Sequence, residues 1–441
     1  MNSIKFMPHQ TKVLELSKQF KNVAYYLDMG LGKTFVGAER LICMKKRINL
    51  VICQKSKIND WIEHFERYYS DFPYGALSYN LTNKKDFERF ISIEDCELDP
   101  CYHIGIINYD LAFRRKELLK LQDFTLMLDE SSIIQNDKAK RSEFILDMNF
   151  DNVILLSGTP TSGKYENLWS QCHLLGWNIK KDTYDLTYVN YKKIVSGDFI
   201  HTIVDQDDPY KNVERLKRKM REHGAIFMKT EEVIDLPEQT FIELTCKVSR
   251  EYRRFMKKSY VQINGIEFIG DSDFSKRLCA RQLCSVYNNE KLRMFEDLIT
   301  STQDRIIVFY NFNVELDVLK EICERYEKAI SEVNGKIKDL NNYEKHSNSI
   351  TLIQYQAGAL GLNLQKANKI IYFSLTDKSE LFEQSKKRIH RIGQKNKCFY
   401  YILLCNRSVE ESIFQRLKER KDYTDDLFKE YERQSNEKNH N

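Results

Sequence analysis

No apolar run in the sequence approaches the length of a membrane-spanning helix, and the opening residues MNSIKFMPHQ are not those of a signal peptide. These absences predict a cytoplasmic chain. The cysteines number 11, an odd count with no CxxC pair, which argues against both a disulfide framework and a zinc ribbon. Most stand singly in apolar runs, as in Leu41-Ile42-Cys43 and Val51-Ile52-Cys53, and read as reduced, buried small hydrophobes. Cys279 and Cys284 are close, yet nothing nearby in sequence completes a metal tetrad. A large excess of charge of one sign is also lacking. The net charge of +5 is too small for nucleic-acid binding to follow from the total. There is no internal repeat and no low-complexity tract.

What is present fits a folded protein of two domains. A chain of 441 residues exceeds one ordinary core, and 42% hydrophobic with 30% charged residues is a globular balance. The first half alternates β-rich runs with amphipathic stretches. Strands are predicted at Val23 to Leu27, Leu50 to Cys53, His103 to Ile107, Phe124 to Leu128 and Val153 to Leu156, with a helix from Thr34 to Lys45. Such alternation predicts an α/β fold with a mainly parallel sheet covered by helices on both faces.

Residues 180–236 read as a polar, charged stretch without clear strands, a helical extension and hinge with Leu236-Pro237 near the crossing. The basic set Lys211, Arg215, Lys217, Arg218, Lys219 and Arg221 lies there on a predicted helix. A solvated face and a phosphate-binding surface are equally open readings of it. A second α/β pattern follows, with strands near Ile306 to Tyr310, Ile350 to Gln354, Ile370 to Phe373 and Phe399 to Leu404. The expected division is a first lobe at 1–179, the extension at 180–236, a second lobe at 237–421 and a charged tail at 422–441.

Three segments carry chemistry. Asp28-Met29-Gly30-Leu31-Gly32-Lys33-Thr34 follows a predicted strand and opens a predicted helix, the context a phosphate-binding loop requires. Its glycines admit backbone N–H groups to the phosphates, and the helix N-terminus adds the positive end of its dipole. Lys33 is the candidate for the β- and γ-phosphates and the Thr34 hydroxyl for Mg²⁺. Leu27 stands where the strict pattern has glycine. The second segment, Leu126-Met127-Leu128-Asp129-Glu130, ends an apolar run in two carboxylates. Asp129 is the candidate for the Mg²⁺ shell and Glu130 for the base that polarises the attacking water. An acidic turn after a buried strand is the bland alternative. In a doubly wound sheet, however, both loops open at the carboxyl ends of strands, where ligands bind. The third segment runs from Gln384 to Gln394. If it is helical, Arg388 and Arg391 share nearly one face and suit the arginine-finger role.

In this order the segments resemble the Swi/Snf-type ATPases of helicase superfamily two. The resemblance covers nearly the whole chain. Met7-Pro8-His9-Gln10 is similar to the family's adenine-reading segment, with Gln10 as the base contact. Asp28 to Thr34 resembles its MGLGKT loop, and Trp61 falls where the family has a tryptophan. Asp129-Glu130-Ser131-Ser132 followed by Asn136 resembles its DEAH-box segment. Ser157-Gly158-Thr159-Pro160 is similar to its third motif, and Ala357 to Leu364, including Gly361, to its fifth. Arg388 to Gln394 reads RxHRIGQ outright.

The resemblance implies two RecA-like lobes with ATP in the cleft between them. Lobe one would supply Gln10, Lys33, Thr34, Asp129 and Glu130, and lobe two Arg388 and Arg391. Ser157 and Thr159 are implied to couple the ATP site to the DNA path. The expected activity is ATP-dependent translocation along double-stranded DNA and remodelling of protein–DNA complexes, with ATP and Mg²⁺ as cofactors. The expected setting is a bacterial cell or phage-infected host, with a protein partner in replication, repair or defence. An RNA helicase of the same superfamily and a nucleotide-sensing module with decayed ATPase stand as the alternatives.

Overall fold

The apolar runs of the first half become strands covered on both faces, so every residue of Val23–Leu27, Ile48–Cys53 and Asn152–Ser157 is buried. The computed structural model describes residues 4–71, 75–95, 101–196, 199–358, 362–421 and 423. It divides into two units, Met1–Val233 with Tyr423–Asn441, and Ile234–Asp422.

The first unit contains β1 (Val23–Leu27), β2 (Ile48–Cys53), β3 (Ala76–Asn80), β4 (Tyr102–Asn108), β5 (Phe124–Asp129), β6 (Asn152–Ser157), β7 (Tyr191–Ser196), β8 (Phe199–Val204) and β9 (Ala225–Met228). Seven of these form one sheet in the order β3-β4-β2-β5-β6-β1-β9, every pairing parallel. β7 and β8 pair as a separate antiparallel hairpin. Helices α1 (Pro8–Ser17), α2 (Lys33–Cys43) and α3 (Ile58–Tyr69) carry Gln10, Lys33 and Trp61 respectively. α2 packs closely on β6, because a Cβ at Gly37 would lie 2.8 Å from Leu156 Cδ1.

The stretch 180–236 is not strandless. It holds the β7–β8 hairpin and β9, whose four residues are all buried and which pairs with β1 through Leu27 and Met228. The short run Ala225–Met228 is hidden in sequence behind the charged helix Val213–Glu222. Four of that helix's basic side chains have local partners. Lys217 pairs with Glu214 at 2.9 Å, Arg218 and Lys219 pair with Glu222, and Arg221 lies over the Phe227 ring. These contacts favour the reading of a helix face over that of a phosphate surface. At the chain's far end Tyr423 joins the first unit, its carbonyl accepting from Tyr165 Oη at 2.8 Å. The rest of the expected tail, 422 and 424–441, lies outside the described residues.

The second unit contains β10 (Gln239–Lys247), β11 (Tyr260–Ile263), β12 (Ile266–Ile269), β13 (Ile306–Tyr310), β14 (Ala329–Val333), β15 (Lys338–Asp339), β16 (Ser349–Gln354), β17 (Lys369–Tyr372) and β18 (Cys398–Asn406). Its sheet runs β10-β18-β17-β13-β16-β14-β15 and is parallel except for the edge pair β14–β15. β11 and β12 form a second hairpin. Among the described residues no helix is long and apolar enough to cross a membrane.

Candidate nucleotide site

The loop from Asp28 to Gly32 leaves β1 and turns into α2. Gly30 has φ +88° and Gly32 φ +77°, and Gly32 is the N-cap of α2. A side chain at Gly32 would be strained by its backbone and would meet Gln10, because a Cβ there would lie 2.2 Å from Nε2. Gln10 is seated on the loop. Its Nε2 donates to Leu31 O at 3.2 Å, and its Oε1 accepts the Met7 N–H at 2.9 Å. Lys33 Nζ donates to Leu27 O at 2.9 Å and to Asp28 O at 3.4 Å, while Gly158, just past β6, backs onto the ammonium. A Cβ at Gly158 would sit 3.2 Å from that Nζ. Asp28 braces the loop, accepting the Met29 N–H at one oxygen and the Thr230 hydroxyl at the other, both at 2.9 Å.

β5 lies beside β6, with Asp129 in register with Leu156, so Asp129 and Glu130 emerge next to the Ser157-Gly158-Thr159 segment. Burial raises the Asp129 carboxyl above its usual range, while the Trp61 indole N–H and the Lys33 ammonium work against that shift. Trp61, carried by α3, donates to Asp129 Oδ2 at 2.9 Å, and Tyr109 Oη donates to Asp129 O at 2.9 Å. Glu130 holds a left-handed backbone, φ 56°. The Thr34 hydroxyl and the Asp129 carboxylate are hard oxygen donors of the kind Mg²⁺ takes. With the loop glycines and Lys33 beside them, the residues present fit Mg²⁺ with a nucleotide phosphate.

Ser157 Oγ accepts the Thr159 N–H at 3.1 Å, and Thr159 is buried with its Oγ1 lacking a partner among the described residues. A buried amide ties this segment to the acidic one. Gln171 Nε2 donates to Pro160 O at 2.7 Å, and its Oε1 accepts from Ser131 Oγ at 2.7 Å and Tyr26 Oη at 3.0 Å.

In the second unit, Arg388 and Arg391 are not on a helix. The helix Ser379–Lys386 ends before them, and they lie in the turns after it. The cause is local. Gly393 has φ +97°, and Gln394 Nε2 donates to Gln365 O, Ala367 O and Ile389 O at 2.9–3.2 Å. His390 Nε2 adds a 2.9 Å contact to Pro237 O. These contacts hold the segment as a fixed turn. Arg388 is buried, and burial lowers the pKa of Arg391 without removing its charge. Gly361 lies outside the described residues.

Residues 13–295 match the family model described as the SNF2-related domain, well over half of the chain, and residues 290–393 match the helicase conserved C-terminal domain. The chain belongs to the SNF2-related family. Among its SNF2-related relatives, the ISWI chromatin-remodeling complex ATPase ISW1 of Saccharomyces cerevisiae is 24% identical over 435 residues, which cover 88% of this chain and 37% of that one. The probable ATP-dependent DNA helicase CHR12 of Arabidopsis thaliana is 22% identical, with 89% and 39% covered. The DNA repair and recombination protein RDH54 of Saccharomyces cerevisiae is 23% identical, with 92% and 51% covered. This chain therefore spans about two-fifths to one-half of these relatives' lengths. The Sulfolobus solfataricus SWI2/SNF2 ATPase core, solved in complex with dsDNA, aligns over 96% of this chain and 93% of its own, at 19% identity and a TM-score of 0.44.

Within this SNF2-related chain, several site residues are not evident from motif reading. Thr230 is one of them, since its bond to Asp28 spans 202 positions. Gln171 and Tyr109 carry no local signal, since each acts through a partner brought close by the sheet order. Trp61 does carry one, and its contact is testable. Trp61→Phe keeps the stacking on Phe65 but removes the N–H that orients Asp129. The expected result is a rise of about tenfold or more in the Mg²⁺ concentration for half-maximal ATP turnover. An unchanged Mg²⁺ titration would show that the indole has no part in holding the ion.

Proposed function

We propose that this SNF2-related chain hydrolyses ATP and uses the energy to move along double-stranded DNA. The observation that carries the reading is the placement of Lys33, Asp129 and Glu130 at the carboxyl ends of β1 and β5, with Gly158 after β6 closing on the Lys33 ammonium. Mg²⁺, held by Thr34 and Asp129, supplies charge neutralisation at the phosphates when bound. Lys33 contacts the terminal phosphates, Gln10 reads the base, and Glu130 takes a proton from the attacking water. Arg388 and Arg391 stabilise charge that develops on the γ-phosphate. Ser157 and Thr159, linked through Pro160 and Gln171 to the acidic segment, pass the state of the nucleotide to the nucleic-acid path. If DNA raises turnover by favouring the conformation in which the arginines reach the phosphate, ATP tightens DNA binding by the same factor.

The choice of DNA is supported by the relatives' names, an ATP-dependent DNA helicase and a DNA repair and recombination protein. Movement on an intact duplex is tested with a triple-stranded substrate. ATP is expected to drive release of the third strand while a plain duplex stays paired. Robust unwinding of the plain duplex, or no third-strand release with ATP, contradicts the assignment.

A further inference from the structure

The core of the second unit gathers the Cys284 and Cys405 thiols and the Glu410 carboxylate, with a third thiol, Cys246, against Cys405, and these residues are far apart in sequence. Cys246 and Cys405 are register partners on the adjacent parallel strands β10 and β18, their sulfurs 3.5 Å apart. Cys284 caps the helix Asp273–Leu283. Its sulfur, the Cys405 sulfur and a Glu410 carboxylate oxygen all lie within 4.8 Å of one another. Among the described residues this is the one such grouping of His, Cys, Asp and Glu donors. All four side chains are buried. Cys279, the sequence neighbour of Cys284, takes no part in it, and its sulfur lies against Ile269 O.

The surroundings are those of a charged centre. Asn288 Nδ2 lies 3.3 Å from the Cys405 sulfur and donates to it, while the Cys405 thiol points to Cys284 O at 3.2 Å. Glu410 Oε2 accepts the Cys405 N–H at 2.9 Å, and Glu410 Oε1 accepts from Lys291 Nζ at 2.5 Å. Lys291 is 0% exposed and Glu410 3% exposed, so this is a fully desolvated ammonium–carboxylate pair set against the thiols.

We propose that Cys246, Cys284, Cys405 and Glu410 form a structural site for a zinc-class divalent cation. Sulfur donors with one carboxylate select a borderline-soft d¹⁰ ion over Mg²⁺ or Ca²⁺. A tetrahedron with metal–sulfur bonds of about 2.3 Å has edges of about 3.8 Å. The Cys246–Cys405 separation of 3.5 Å is already close to that length, the Cys284, Cys405 and Glu410 donors lie within 4.8 Å of one another, and Cys246 completes the set through its contact with Cys405. The charges also suit a buried site. Three thiolates and Glu410 around a divalent ion, with Lys291 alongside, leave a single negative charge, less than the two left by a four-thiolate site. Four protein donors close the coordination sphere, so the ion ties β10, β18 and the end of the helix Asp273–Leu283 together and leaves no open position for chemistry. Asn288 and Lys291 orient the ligands from behind.

The test uses the full-length chain, reduced, freed of metal by chelator and then titrated with Cd²⁺ as the probe. A sulfur-to-cadmium charge-transfer band saturating at one equivalent per chain, with a rise in melting temperature on adding Zn²⁺, is the expected result. Cys405→Ser and Cys284→Ser are expected to lose the band. Cys323→Ser, which alters a buried cysteine elsewhere in the same unit, is expected to keep it. The unmodified chain decides whether an ion binds, so poor folding of a variant does not hide the answer. No band in the folded, reduced chain, an undiminished band in Cys405→Ser, or a Cys246–Cys405 disulfide forming under the titration conditions in place of metal uptake overturns the proposal.

Discussion

Glu130→Gln is expected to lower duplex-stimulated ATP turnover on the order of a hundredfold or more while leaving nucleotide binding in place. The substitution keeps the size of the side chain and removes its ability to accept a proton. It also keeps the backbone geometry, which matters because Glu130 sits at φ 56°, and a change that relaxed this turn would shift Asp129 beside it. The groups that hold the phosphates and the ion belong to other residues, namely Lys33, Thr34 and Asp129. Binding of a fluorescent ATP analogue should therefore stay within a few-fold of the parent. Turnover within a factor of three of the parent would remove Glu130 from the role of base.

Arg391→Ala is expected to cost on the order of a thousandfold in turnover, the lower end of what arginine fingers contribute. Arg391 is the cleaner of the two arginines to change. Arg388 is buried, so truncation there leaves a void and also disturbs the packing of the second unit. Arg388→Lys is the milder companion. It retains the charge but loses the planar fork, and it should fall between the parent and Arg391→Ala. The first unit contains the phosphate-binding loop intact, so ATP-analogue affinity should change little in either variant. A full rate in Arg391→Ala, in a protein whose melting temperature matches the parent, would mean that the turn after Lys386 serves structure alone.

The sequence was most informative where one segment carries its own physics. The apolar runs at Val23, Leu50, Phe124, Val153 and Ile306 are strands, because a parallel strand covered on both faces needs an unbroken apolar stretch. The glycine-rich loop was legible because glycine at positive φ followed by a lysine and a helix has few other uses. Short or half-exposed strands were not legible. Ala76–Asn80 and Ala329–Val333 mix polar and apolar residues, and Ala225–Met228 is four residues long behind a highly charged helix. Gln384 to Gln394 is helical only as far as Lys386, and nothing local announces that one amide, Gln394, will cap three carbonyls from two segments. For the same reason the thiol cluster was invisible in sequence. Cys246 and Cys405 meet only because β10 and β18 are neighbours in the sheet, and Cys284 arrives from the end of the helix Asp273–Leu283.

In the proposed function, nucleic acid, and duplex DNA above all, sets the rate at which this chain splits ATP. The most direct measurement is the steady-state ATPase rate with no nucleic acid, with duplex DNA, with single-stranded DNA and with RNA. Duplex DNA should give the largest stimulation, and Glu130→Gln should abolish it. Stimulation by RNA or by single strands alone, or no stimulation by any of the three, would contradict the account.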